Sequence, residues 1–228
     1  MALNKARTSV WMKAFIIFLI IAFVSVFMAS GVFGIFQLFQ TSDTSSSATS
    51  TVDPVATINQ RGQATVDALK SLAASQPTSY TAQVKVANAY FDWAQELSTP
   101  ATGQSQITTA AMTAAVDVWA QARAAYDQAV KLNKTFDPSV QTDHSIATFY
   151  SNDATSAIKL AREVTVKKPD FAPAWLNLGL FYDSTGASVQ AVIAYQKYLV
   201  LDPKGNAATY ATNRLKALGS SAPTTKTP

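Results

Sequence analysis

Cysteine is absent from all 228 residues. That excludes disulfide staples, thiolate nucleophiles and zinc sites built on cysteine. Histidine occurs once, as His144, in the run Thr142-Asp143-His144-Ser145. The run reads as the start of a helix capped by Asp143 or Thr142. A general base or metal ligand needs partners nearby, so His144 is read as structural. Charged residues make up 14% of the chain, against roughly 25% in an average soluble domain. The acidic residues are dispersed: Asp117, Asp127, Asp137, Asp143 and Asp153 lack the close spacing of a calcium loop. No phosphate-binding P-loop, dinucleotide glycine motif or G-x-S-x-G elbow is present. Asn133-Lys134-Thr135 is a formal glycosylation sequon and is treated as a chance match. The expectation is therefore a non-enzyme with no cofactor and no metal.

The positive charge is unevenly placed. The formal balance is +4, but Lys5, Arg7 and Lys13 all precede an apolar run. Residues 40–228 hold 15 Lys and Arg against 14 Asp and Glu, a balance of +1. A pI near 9.2 thus reflects the N-terminus rather than a basic face for nucleic acid, and no nucleic-acid partner is expected. Residues 14–39, AFIIFLIIAFVSVFMASGVFGIFQLF, carry no charge over 26 positions. At about 1.5 Å per residue this run exceeds the roughly 30 Å hydrocarbon core. It is read as a single transmembrane helix. The alternative, a cleaved signal peptide, has an apolar stretch of about 7–15 residues, whereas here apolar residues continue through Phe36, Leu38 and Phe39. The flanking cations put residues 1–13 in the cytoplasm and the rest of the chain beyond the cell membrane, its first basic residue past the span being Arg61.

Beyond the span the chain changes character. Residues 40–53 form a Ser/Thr-rich linker and 219–228 a disordered tail. Between them, 54–218 is Ala-rich with helical periodicity and no alternating strand. Helices are expected at about 54–75, 80–97, 109–133, 140–150 and 206–218, besides those of the repeat described next. Breaks fall at Pro77, Asp137–Pro138, Pro169–Pro173, Ser184–Gly186 and Pro203–Gly205, and a loop spans 98–109.

An internal repeat organises this region. Within 172–205, Trp175, Leu178, Gly179 and Tyr182 show the spacing W-x2-L-G-x2-Y, followed by Ala191, Tyr195 and Pro203. This resembles the tetratricopeptide repeat, a helix–turn–helix unit of about 34 residues. Small Gly179 and Ala191 would let two helices approach closely, Gly186 would allow the turn, and Asp202–Pro203 would stop the second helix. Tyr198 stands where the family usually has a small residue. One period back, Ala157 and Pro169 match, but Gln141, His144 and Ser145 replace the Trp, Leu and Gly. Earlier still, Ala122, Tyr126 and Ala129 match a second helix, and Val86, Ala87 and Tyr90 a first helix, displaced by the 98–109 insertion. Helix 54–75 is either half an eroded repeat or an N-terminal cap. Helix 206–218, with Tyr210, Leu215 and Leu218 read as one face, is the C-terminal cap.

The resemblance implies an all-α, tetratricopeptide-like solenoid of about three repeats with capping helices, whose first helices line a concave face that binds peptides or helices. The family's inner positions fall on Thr81, Val84, Asn88, Phe91 and Asp92; on Ser139, Thr142, Ile146, Phe149 and Tyr150; and on Pro173, Leu176, Leu180, Asp183 and Ser184. Of these, Asn88, Phe91, Ile146, Phe149, Tyr150, Leu176 and Leu180 are the candidate partner-binding residues. Versions that clamp a C-terminal carboxylate need Lys, Arg and Asn at several inner positions, and only Asn88, beside Lys85, and Asn177 fit loosely. The expected ligand is thus an apolar segment or helix. Two alternatives stay open: these side chains are core, or helix 54–75 fills the groove. The functional expectation is a scaffold for protein partners, as a subunit or assembly factor of a membrane or envelope complex. A chaperone-like binder of unfolded exported chains is the alternative, and self-association is also left open.

Overall fold

A computed structural model describes residues 53–100, 106–133 and 135–223. The expected cytoplasmic tail, membrane span and most of the linker lie outside the described residues, as do part of the 98–109 loop and the last five residues. No helix among the described residues is long and apolar enough to cross a membrane. Among the described residues eight helices follow one another: α1 Pro54–Ala74, α2 Tyr80–Leu97, α3 Thr109–Leu132, α4 Pro138–Tyr150, α5 Ala154–Lys167, α6 Ala172–Ser184, α7 Ser188–Leu201 and α8 Ala208–Ala217.

The first five helices each begin at a side chain that accepts a hydrogen bond from a free backbone N–H: Asp53, Ser79, Thr108, Asp137 and Asp153. Proline at the first turn of α1 and α4 fits, because its missing N–H would be unpaired there anyway. The cap of α4 corrects one expectation. Asp137 caps this helix, accepting from the N–H groups of Ser139 and Val140, so neither Asp143 nor Thr142 does. His144 sits in mid-helix instead of at its start.

The 34-residue period is exact in the backbone of the last two hairpins. Adding 34 to the bounds of α4 and α5 gives the bounds of α6 and α7. The turns obey the same period: Asn152 (φ 67°) and Gly186 (φ 78°) are both left-handed. Asparagine and glycine are the residues that adopt this conformation at least cost. The second helices end alike at Lys168 and Asp202, whose N–H groups donate to Val164 and Tyr198 at 2.8 Å.

Packing follows the repeat. Ala122, Ala157 and Ala191 share one repeat position and are fully buried. Gly179 meets the ring of Tyr195, and an added Cβ there would lie 2.7 Å from it. Because Tyr195 is itself fully buried, Gly179→Ala is expected to cost about 1 kcal/mol by overpacking, net of alanine's better helix propensity; a lowered urea midpoint checks this. Tyr198, the oversized residue, is accommodated by Gly205 in the α7–α8 turn, where an added Cβ would come within 2.7 Å of the tyrosine oxygen.

The eroded α4 keeps the burial pattern without the motif letters. His144 and Ser145, at the Leu and Gly positions, are buried, as are Thr142 and Thr148. The three hydroxyls donate back to carbonyls of their own helix at 2.7 Å, which removes the cost of burying them unpaired. Three apolar clusters run along the array. One joins α1–α4, a second α6–α8, and a third, containing Ala157, Ala161, Leu178, Phe181 and Ala194, bridges them.

Candidate partner-binding surface

Each helix packs on the one before it, but the first helices of successive hairpins also meet one another. α2 touches α4 and α4 touches α6, whereas the second helices α3, α5 and α7 make no comparable contact among themselves. An array whose first helices lie closer together curves toward them. The surface carried by α2, α4 and α6 is therefore the inner one; α8 follows one repeat period after α6 and is joined to it by Arg214 and Asp183. α1 packs on α2 and has no comparable contact with α4 or α6, so it behaves as a preceding second helix and leaves the inner face open. Gly62 crosses Trp93, whose indole N–H donates to Asn59 at 3.1 Å.

The candidate residues divide by exposure. Ile146, Phe149 and Leu180 are half-buried against the bridging cluster, Leu176 against the C-terminal one and Phe91 against the N-terminal one. Phe91 stands edge-on to Trp119 at 4.8 Å, and Phe149 stacks on Phe181 at 4.5 Å. Both rings are thus partly covered by core neighbours and partly exposed. Tyr150 differs: it is 41% exposed and lies on Trp119 with centroids 5.2 Å apart. Thr142, an inner position by sequence register, is buried and takes no part in the surface.

The polar members are already engaged or crowded. Asn88 is exposed, and its Oδ1 accepts from the hydroxyl of Tyr126 at 2.8 Å. Asn88 and Asp92 border a cleft of about 330 Å³ between α1 and α2, also lined by Arg61, Lys85 and Glu96. Arg61 and Glu96 are paired across it. Asp183 accepts both nitrogens of the Arg214 fork, at 2.7 and 3.0 Å, and the Tyr195 hydroxyl at 3.3 Å. Arg214 holds the Asp183 carboxyl below the ordinary carboxylate range. This pair ties α8 to α6. Tyr210 of α8 is 44% exposed and stands edge-on to Tyr195, whereas Leu215 is buried and Leu218 half-buried in the C-terminal cluster.

Sequence reasoning missed the carboxylate group. Asp143 is pushed up to about 6, first by burial and then by the nearby Asp137 and Asp92. Asp143 and Asp92 add to the burial that raises the Tyr126 hydroxyl. These residues come from three neighbouring segments, and nothing in linear spacing announces their meeting. The described residues contain no group of three side chains suited to a metal ion. The inner surface is thus a set of half-buried aromatic and aliphatic side chains around Tyr150, with the carboxylates of Asp92 and Asp143 nearby.

Two solved structures share this architecture. One titled "Crystal structure of MamA" superposes with a TM-score of 0.53 at 18% identity, over 74% of this chain and 86% of that one. A second, "Crystal structure of MamA protein", gives 0.50 at 19% identity, over 70% and 76%. The fold is tetratricopeptide-like. No family model and no curated protein matches the sequence. At such identities the likeness concerns the tetratricopeptide-like fold alone, and an inner surface has to be read from this chain's own residues.

Proposed function

We propose that the chain is a membrane-anchored, non-enzymatic scaffold that binds protein partners through the inner face of its solenoid. Residues 14–39 would anchor it in the cell membrane with its N-terminus in the cytoplasm and the helical domain on the opposite side. Its place would be that of a subunit or assembly factor in a membrane or envelope complex. The observation that carries the binding part is Tyr150, a large aromatic ring left 41% exposed on the face where the first helices converge, with Phe91, Ile146 and Phe149 showing partial surfaces around it. An apolar segment covering these edges would bury area worth about 25 cal/mol per Å² before association costs. Asp92 and Asp143, which form no ion pair among the described residues, favour a segment that also carries Lys or Arg.

Tyr150→Asp tests this at the most exposed of the candidate aromatic residues. Purified from mild detergent, the wild-type chain is expected to bring down a stoichiometric partner, and Tyr150→Asp to lower its recovery at least about tenfold, roughly 1.4 kcal/mol. Tyr150→Phe keeps the ring and should retain the partner. Recovery of the chain alone would count against the scaffold. Many unrelated partners at low occupancy would favour the chaperone-like reading instead. Phe149→Asp and Leu180→Asp are poorer probes, because both side chains pack against the bridging cluster and their loss would unfold the array.

A further inference from the structure

The outward face of the C-terminal hairpins carries a second surface that the scaffold reading does not use. On α7, Val189, Ile193 and Val200 are 71%, 57% and 56% exposed. Their spacing of four and seven residues places them in one stripe along the helix. The 34-residue register gives α5 equivalent positions, so that Val166 corresponds to Val200, Lys159 to Ile193 and Arg162 to Gln196, which donates to Ser220 and Ser221 of the C-terminal segment. Val166 is 78% exposed, and Lys159, Arg162 and Lys197 are exposed as well. On the convex side, opposite the inner surface, the aliphatic stripe of α7 has Lys197 at one edge, its ammonium 6.0 Å from the Trp175 ring, and Val166, Lys159 and Arg162 occupy the equivalent face of α5 one repeat earlier.

The charge of the whole half agrees. Residues 154–223 hold eight Lys or Arg against four Asp or Glu, a balance of +4, while 53–153 hold six against nine, a balance of −3. Of those four acids, Glu163 is paired with Lys167 and Asp183 with Arg214. A second copy set on the stripe by twofold symmetry would bring Lys159, Arg162 and Lys197 against their own equivalents, which like charge opposes. A planar anionic surface meets no such penalty: aliphatic side chains enter the acyl boundary and the flanking cations reach the headgroups.

We propose that the outward face of α5 and α7 docks on a bilayer of anionic phospholipid, turning the inner face away from the membrane. That a bilayer is within reach rests on the anchor proposed above; the stripe and its cations do not.

The absence of cysteine makes the test direct. Ile193→Cys in the full chain gives a single thiol for an environment-sensitive fluorophore, and Gln95→Cys on exposed α2 serves as reference. The protein is reconstituted in nanodiscs of phosphatidylcholine alone or with 30% (about one lipid in three) phosphatidylglycerol. The expected result is a blue shift and at least about twofold protection from iodide quenching at position 193 in the anionic discs only, with the reference unchanged. Lys159→Glu with Arg162→Glu and Lys197→Glu should abolish both. Equal aqueous emission in the two lipids overturns the proposal. So does shielding that is independent of lipid and accompanied by cross-linked dimers. Alkaline extraction separates the readings: loss of the chain from phosphatidylcholine discs would refute the anchor, while salt-reversible binding to anionic discs with position 193 shielded would still support docking.

Discussion

Replacing Phe181 by Ala is expected to destabilise the C-terminal hairpin by about 3–5 kcal/mol and to split unfolding into two transitions. Phe181 is fully buried, and its ring stacks on Phe149 at 4.5 Å. It belongs to the cluster that joins the α1–α4 core to the α6–α8 core. In a solenoid, stability is close to a sum of unit terms and nearest-neighbour interface terms. A large residue removed from an end unit would weaken one unit; removed here, it weakens the coupling between two. The α6–α8 portion should then open while the N-terminal portion stays folded. The tryptophans report on different parts, because Trp93 and Trp119 lie in the N-terminal core and Trp175 packs on the C-terminal and bridging clusters. Urea titrations of single-tryptophan variants should give coincident midpoints for the parent chain and separated midpoints after Phe181→Ala, with the Trp175 signal lost first. One unshifted transition would contradict the role assigned to the bridge.

The repeat geometry was the most legible part of this chain, for a physical reason. Close helix approach requires small residues, a left-handed turn requires Gly or Asn, and a helix stop favours proline. Each is a local demand that one residue type satisfies. Gly179, Ala191, Gly186 and Pro203 therefore marked their hairpin from sequence, and Asn152 marks the previous turn once the period is known. The start of α4 was less legible because two candidate caps lie in one run. Asp137 prevails with Pro138 behind it, which leaves Thr142 free to be buried with its hydroxyl bonded to the Pro138 carbonyl.

The surface was less legible than the fold. Inner positions follow from register, but their exposure depends on what neighbouring helices bring. Phe149 is half covered because Phe181 arrives from 32 positions away in the chain, whereas Tyr150 is left out. Asp183 is an inner position by register, but Arg214, 31 residues on, donates to both its oxygens. Asn88 is likewise held by Tyr126 across 38 residues. None of these pairings leaves a trace in spacing, since each depends on how two hairpins are stacked.

His144→Leu is expected to stabilise the domain by about 1–2 kcal/mol at pH 7.5 and to reverse its response to mild acid. His144 is buried, with Nε2 3.0 Å from Asp127 and Nδ1 buried without a hydrogen-bond partner. The equivalent residue one repeat later is Leu178, also buried, so leucine suits the site, and half-exposed Asp127 regains water when the imidazole goes. Burial lowers the His144 pKa and the Arg123 cation adds to this, against the opposing pull of Asp127. The folded chain therefore takes up this proton less readily than the unfolded chain. The associated stability is fully present above the ordinary imidazole value of 6.5 and is lost as pH falls through it. Asp143, the adjacent residue, has the opposite sign. Its carboxyl is raised to about 6, so stability is gained as pH falls through that value toward 3.8. In the parent chain the two responses oppose each other between pH 7.5 and 5. His144→Leu leaves only the gain, and its advantage over the parent should widen on acidification. Asp143→Asn leaves only the loss, so it should start more stable at pH 7.5, by about 1 kcal/mol after allowing for solvent screening, and decline toward pH 5. Urea midpoints of the three chains at pH 7.5, 6 and 5 decide the matter: parallel pH profiles would mean that neither group titrates against folding.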